Sequence, residues 1–149
     1  VPGGIDPATG HYRLSDGTVL KFGPHDVKEP PGFLRHVLRG DATSRGRPTG
    51  GHSYRAAVER PYPGLIVFPE SWSDSDIDRA LTLAWLQPRA VQSKATNPIL
   101  RCVKTVEDVS VQVQVIVQKK GSSGKLNTGY PTRGNGVMRY NGTIFTPVE

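Results

Sequence analysis

Two histidines, His36 and His52, are the residues of this chain best suited to chemistry. His36 sits in Arg35-His36-Val37-Leu38-Arg39-Gly40-Asp41, flanked by arginines. His52 follows Thr49-Gly50-Gly51, where no bulky side chain keeps an anion from the backbone amides, so Gly51 is a candidate substrate contact. Imidazole titrates near ~6.5, so near neutral pH one ring can take a proton while another supplies one. Such a pair suits metal-free cleavage of RNA, in which a ribose 2′-hydroxyl attacks the adjacent phosphorus and the 5′-oxygen leaves. The charge that builds in the phosphorane-like transition state calls for a fixed cation. Lys94, Arg101, Lys104 and Lys125 are the candidates, and Tyr130 can stack on a base.

Other chemistries find less support. The two histidines lack the i, i+3 or i, i+4 spacing of a zinc pair, and Cys102 is the single cysteine, so there is neither an internal disulfide nor a CxxC motif. No Gly-x-Ser-x-Gly elbow, Walker loop, GxGxxG or EF-hand pattern occurs. No metal or other cofactor is expected. His11 and His25 lie beside turn residues and read as structural or solvent-exposed. Apolar runs are only a few residues long, too short for a membrane span.

Charge points the same way as the histidines. Residues 1–88 carry ten Lys/Arg against ten Asp/Glu, whereas residues 89–149 carry nine against three. The net charge of +6 therefore belongs entirely to the last third, and the pI is about 9.7. Nucleic acid is the commonest partner for such a surface.

The elements that must position these residues are legible in outline. Thirteen prolines and 17 glycines argue against a helical bundle and for strands joined by turns. Tyr12–Leu14 and Thr18–Phe22 flank Ser15-Asp16-Gly17 as a hairpin, and Pro24 to Pro31 reads as a linker. Phe33 to Leu38 suits one or two helical turns, and Arg39 to Gly51 a polar loop. Leu65 to Pro69 reads as a short extended segment. Ser73 and Asp76 form a capping box ahead of Ile77, Ala80, Leu81 and Ala84, one buried helix face that Pro88 ends. Arg101–Val106, a turn at Glu107-Asp108, the alternating Val109–Val117, a turn at Gly121–Gly124 and a return over Leu126–Tyr130 form a meander. Val137–Tyr140 and Thr143–Thr146 flank Asn141-Gly142 as a last hairpin. The expected class is α+β, helices beside antiparallel sheet, with residues 1–32 as an N-terminal hairpin and linker and 33–149 as the functional domain.

Four segments in order, Phe33 to Asp41, Gly50-Gly51-His52, Phe68-Pro69-Glu70-Ser71-Trp72-Ser73-Asp74 and Thr128-Gly129-Tyr130-Pro131-Thr132, resemble the bacterial EndoU nuclease domain. The resemblance spans residues 33 to about 132 and implies the fold of the barnase/EndoU/colicin/RelE-type nucleases. It implies endoribonuclease activity, often at uridine, leaving a 2′,3′-cyclic phosphate and a 5′-hydroxyl. It places His36 and His52 as the histidine pair and Thr128 and Tyr130 as the Ser/Thr-x-Tyr pair that positions the uridine or its ribose. The family lysine falls best on Lys94, with Lys104 second and Arg101 third. Many bacterial members are C-terminal toxin domains that enter neighbouring cells and cut tRNA, and Val1-Pro2-Gly3-Gly4 reads as a cut inside a longer chain or as a processed start. The resemblance therefore implies a delivered toxin acting in the target-cell cytoplasm, with an acidic cognate immunity protein as partner. A monomer is expected. The alternatives are a stand-alone cytoplasmic or phage enzyme, a non-catalytic RNA-binding module, and a domain whose basic face meets an acidic protein.

Overall fold

The computed structural model describes residues 4–42, 45–92, 99–106 and 110–148. Its framework is a five-stranded sheet made of β3 (Val27–Lys28), β7 (Ala90–Gln92), β8 (Ile99–Val106), β9 (Val111–Lys120) and β10 (Ser123–Arg133), in the order β3-β10-β9-β8-β7. All neighbours are antiparallel except β3, which joins β10 in parallel at the edge. β9 is the alternating segment: Val111, Val113, Val115 and Val117 are fully buried on one face. Its other face, expected to meet solvent, is also covered at mid-strand, for Gln114 and Ile116 are buried too. The turn expected at Glu107-Asp108 lies outside the described residues.

α3 (Asp74–Leu86) covers the valine face. It begins as its sequence dictates: Ser73 Oγ accepts from the Asp76 amide at 3.2 Å and the Asp76 carboxylate accepts from the Ser73 amide at 2.9 Å. Ile77, Ala80, Leu81 and Ala84 are the buried stripe, each large apolar member contributing about 1.5–3 kcal/mol over an exposed position. The helix comes so close to β10 that a Cβ on Gly129 would lie 2.5 Å from Leu81 Cδ2. Gly129 therefore faces α3, and its neighbours Thr128 and Tyr130 face the opposite side.

On that opposite side lie α1 (Phe33–Arg39), α2 (Tyr54–Glu59) and a small antiparallel sheet of β6 (Ile66–Val67), β11 (Met138–Tyr140) and β12 (Phe145–Pro147), ordered β12-β11-β6. The Asn141-Gly142 turn closes as its residues require, the Asn141 side chain accepting from the amides of Thr143 and Ile144. The polar stretch read as one loop contains a two-residue ladder, β4 (Asp41–Ala42) with β5 (Pro48–Thr49). α2 was not legible beforehand. Its cap, Ser53, directly follows His52.

The N-terminal residues are more than an appended hairpin. β1 (Gly4–Ile5) pairs with β2 (Tyr12–Arg13), and the expected turn forms at Ser15-Asp16-Gly17, with the Leu14 amide donating to Thr18 O. Pro24–Asp26, read as linker, is a 3₁₀ turn that leads into β3. Tyr12, Leu14, Phe22 and Val27 are buried in the same core as α3 and β9, and Tyr12 and Phe22 meet edge to face at 5.6 Å. A Phe22→Ala variant should therefore lose roughly 3–5 kcal/mol of global stability by urea denaturation; a main transition that does not move would make this segment an appendage.

Candidate active site

α1 is a seven-residue helix whose C-terminal carbonyls need donors from elsewhere. Gly40 closes the turn onto His36 O at 2.9 Å, and the segment beginning at Gly51 supplies donors to three carbonyls. The Gly51 amide donates to His36 O at 3.0 Å, the His52 amide to Val37 O at 2.6 Å, and Ser53 Oγ to Leu38 O at 2.7 Å. This run of bonds brings His52 alongside the helix that carries His36. Gly50 makes room for it, with φ +70° and so little space that a Cβ would sit 2.3 Å from His36 O and 2.9 Å from the ring's Cε1.

The two imidazoles then meet β10 at successive positions on one face. His36 Nε2 lies 3.2 Å from Thr128 Oγ1, and the His52 ring lies 5.5 Å from the Tyr130 ring. Residues two apart on a strand are separated by ~7 Å, which sets the spacing of the ledge between the rings. Tyr130 is held in turn by Gln114, whose Nε2 donates to its hydroxyl at 2.9 Å. A cavity of about 360 Å³ opens over His52, Thr128 and Tyr130, walled on its far side by Tyr62, Ile66 and Arg139; His36 borders it through Thr128.

The environments of the rings differ in a way that matters for proton transfer. His52 is 7% exposed. Its Nδ1 lies 2.7 Å from Ile66 O, an obligate acceptor, so Nδ1 carries the hydrogen and Nε2 is left with the lone pair. Burial disfavours the imidazolium and lowers the pKa from 6.5 to about 4, with the nearby His36 charge adding to the effect against the partial support of the Ile66 carbonyl. His36 instead places Nδ1 3.0 Å from Asp41 Oδ2, in a hydrogen bond to a half-exposed carboxylate. That contact assigns the Nδ1 hydrogen of His36 and turns Nε2 toward Thr128.

The structure thus brings together His36, His52, Thr128 and Tyr130 of the expected residues, and separates others. Gly51 is no anion contact: its amide is already bonded to His36 O. Lys104 belongs to the other side of the sheet. It stands opposite Val113 on the face of Cys102, the reverse of the face that carries Arg101, and its Nζ donates to Gln87 O at the end of α3 at 3.2 Å. Arg101 shares the face of Thr128 but sits two strands away, across Ile116, or ~10 Å, and lies outside the cavity wall. Lys125 is exposed on β10 and does not line the cavity either. Lys94 lies outside the described residues. Asp41, Gln114, Tyr62 and Arg139 were not singled out as site residues beforehand. Asp41 had a signal, standing one residue beyond the glycine that ends the His36 helix, but the other three are drawn in only by strand pairing and packing.

Among the described residues no group of three or more metal-ligating side chains is assembled, and no helix is long and apolar enough to cross a membrane. Cys102 is buried in the core, where desolvation pushes its thiol up to about 12. Comparison with protein-family models, curated proteins and solved structures found no match.

Two predictions follow from this geometry. The unfolded chain binds a proton at His52 near pH 6.5 and the folded chain only near about 4, so stability falls as pH drops between those values, by on the order of 3 kcal/mol for this one group. Urea denaturation at pH 7 and pH 4.5 should show a smaller drop for His52→Gln than for the parent; an equal drop would mean that His52 titrates normally. Gly50→Ala should cost at least ~2 kcal/mol, because it combines a left-handed backbone with a backbone clash, and should shift the His36 ring resonances in NMR spectra.

Proposed function

We propose that this chain is an endoribonuclease of the EndoU type, cleaving RNA by attack of a ribose 2′-hydroxyl on its own 3′-phosphodiester. The observation that carries the reading is a pair of imidazoles in opposite electrostatic settings on either side of the Thr128–Tyr130 ledge. His52, neutral through burial and with Nε2 unprotonated, is the base that takes the proton from the 2′-oxygen. The oxygen–phosphorus bond forms as the bond to the 5′-oxygen breaks. His36, carrying its second proton on Nε2 and steadied by Asp41, donates that proton to the leaving 5′-oxygen. The products are a 2′,3′-cyclic phosphate and a 5′-hydroxyl, and the two imidazoles between them supply both proton transfers. Thr128 and Tyr130 hold the nucleotide, the hydroxyl by hydrogen bonding and the ring by packing on the sugar or base.

The mixed α+β architecture is common to many activities, and the EndoU-like fold belongs to this proposal alongside the chemistry. The basic last third supports a polyanionic substrate. In this reading the target is tRNA, and the protein is a toxin domain that acts in the cytoplasm of the cell it enters and is blocked by an acidic immunity protein.

Incubation with total RNA in EDTA, followed by mapping of cut sites and end groups, tests the reading. Cleavage with cyclic-phosphate and 5′-hydroxyl ends is expected, falling at least ~10²-fold in His36→Ala and in His52→Ala. Tight binding without product would leave an RNA-binding module instead. Because His52 is neutral above about pH 4, kcat/KM should rise with pH through that value and stay high toward neutrality. An acid limb near pH 6.5 would exclude His52 as the base.

A further inference from the structure

The cavity beside His52 extends beyond the nucleotide ledge, and its far wall has no role in the reaction. β11 pairs with β6 so that Arg139 stands opposite Ile66, the residue whose carbonyl holds His52. Residues directly opposite in a sheet share a face, and both line the cavity. Among the described residues, Arg139 is the one Lys or Arg that lines the cavity, and no carboxylate lines it. It is exposed, and among the described residues its guanidinium makes no hydrogen bond or ion pair. Beside it, Tyr62 is fixed by donating its hydroxyl to Gly50 O at 2.8 Å, which ties this wall to the same glycine that abuts His36. An uncompensated guanidinium in a partly enclosed space that lacks acidic groups is a place for an anion, and its planar fork matches a phosphate.

We propose that Arg139 and Tyr62 form a second subsite, which receives the RNA phosphate and sugar adjoining the nucleotide held at Thr128 and Tyr130. The identity of the ligand rests on the nuclease reading, whereas the anion site rests on the cavity. Arg139 touches a non-scissile phosphate, so it sets affinity and register, and the chemical step belongs to the imidazoles. Pairing to β6 puts Arg139 one strand spacing, ~5 Å, from Ile66, so the subsite is built on the element that orients the base. A chain bound in both subsites is held across the cavity, with its scissile linkage at the His36–His52 end.

The test uses a fluorescein-labelled pentauridylate with 2′-O-methyl riboses, which binds without being cut, and reads anisotropy between 50 and 200 mM salt (on the order of the range over which phosphate contacts are resolved). Arg139→Gln should weaken binding about tenfold and lower the slope of log K against log salt by about 0.7, the loss of one single-strand phosphate contact. Arg139→Lys should restore part of both, and Arg79→Gln, on the exposed side of α3, should change neither. Replacing the adjoining phosphodiesters in turn by neutral methylphosphonate should weaken the parent protein at one linkage and leave Arg139→Gln unaffected there. Unchanged affinity and slope in Arg139→Gln, equal losses in Arg79→Gln, or no binding by the parent would each overturn the subsite. If Arg139 governs binding in this way while unmodified RNA stays intact, the subsite stands and the cleavage reading fails. If RNA is cut with the same KM by parent and Arg139→Gln, the reverse holds.

Discussion

The candidate site depends on how a short helix satisfies its own end. Three carbonyls near the C-terminus of α1, those of His36, Val37 and Leu38, accept from Gly51 N, His52 N and Ser53 Oγ in register. The Val37 and Leu38 carbonyls, on buried residues, rely on these donors, each loss costing about 1–3 kcal/mol, while His36 O also accepts from Gly40 N. The same bonds make one unit of two segments that residues 39–50 separate in sequence. Ser53 has a double part in this, because its hydroxyl also accepts from Ala56 N and starts α2. The positions of His36 and His52 are therefore consequences of backbone hydrogen bonding, and the imidazoles are carried along by it.

That frame treats two identical side chains differently. His52 faces inward, bonded to a carbonyl that can only accept, and burial keeps it neutral. His36 stays partly open to solvent and has a carboxylate at Nδ1. The two rings thus meet different partners, a carbonyl for His52 and a carboxylate for His36, a division that requires no unusual residue. The third part of the site, the β10 ledge, is rigid for a separate reason. Gly129 lets α3 pack tightly on one face, which leaves Thr128 and Tyr130 standing on the other, where Gln114 braces the tyrosine.

Local patterns were readable where local chemistry decides them. The Ser73 capping box, the alternation of β9 and the Asn141-Gly142 turn all form as their residues require, since each involves groups only a few positions apart. Pro24 to Asp26 misled because three prolines suggest a linker, yet proline also suits the first turn of a 3₁₀ segment, and β3 needed only a free sheet edge. Lys104 misled for another reason. A position within a strand does not reveal which sheet face is the functional one, and a single step along β8 separates the two sides. Gln114 looked like a solvent-facing residue of a half-buried strand; the site elements packed above it made it an internal brace.

From sequence alone came the residue types of the site, the mixed α+β class, the basic last third, and the pairing of His36 with His52 and of Thr128 with Tyr130. The first three and the histidine pair follow from residue chemistry and composition, which act over short range or over the whole chain, and the Thr128–Tyr130 pair from the resemblance to the EndoU domain. Only the tertiary structure decided that Gly51 is bonded to a helix end, that Lys104 faces away, and that Asp41 and Arg139 belong beside the cavity. Each of these depends on which strand edge or helix end a segment meets across long sequence separations, and that choice is made by the packing of the entire molecule.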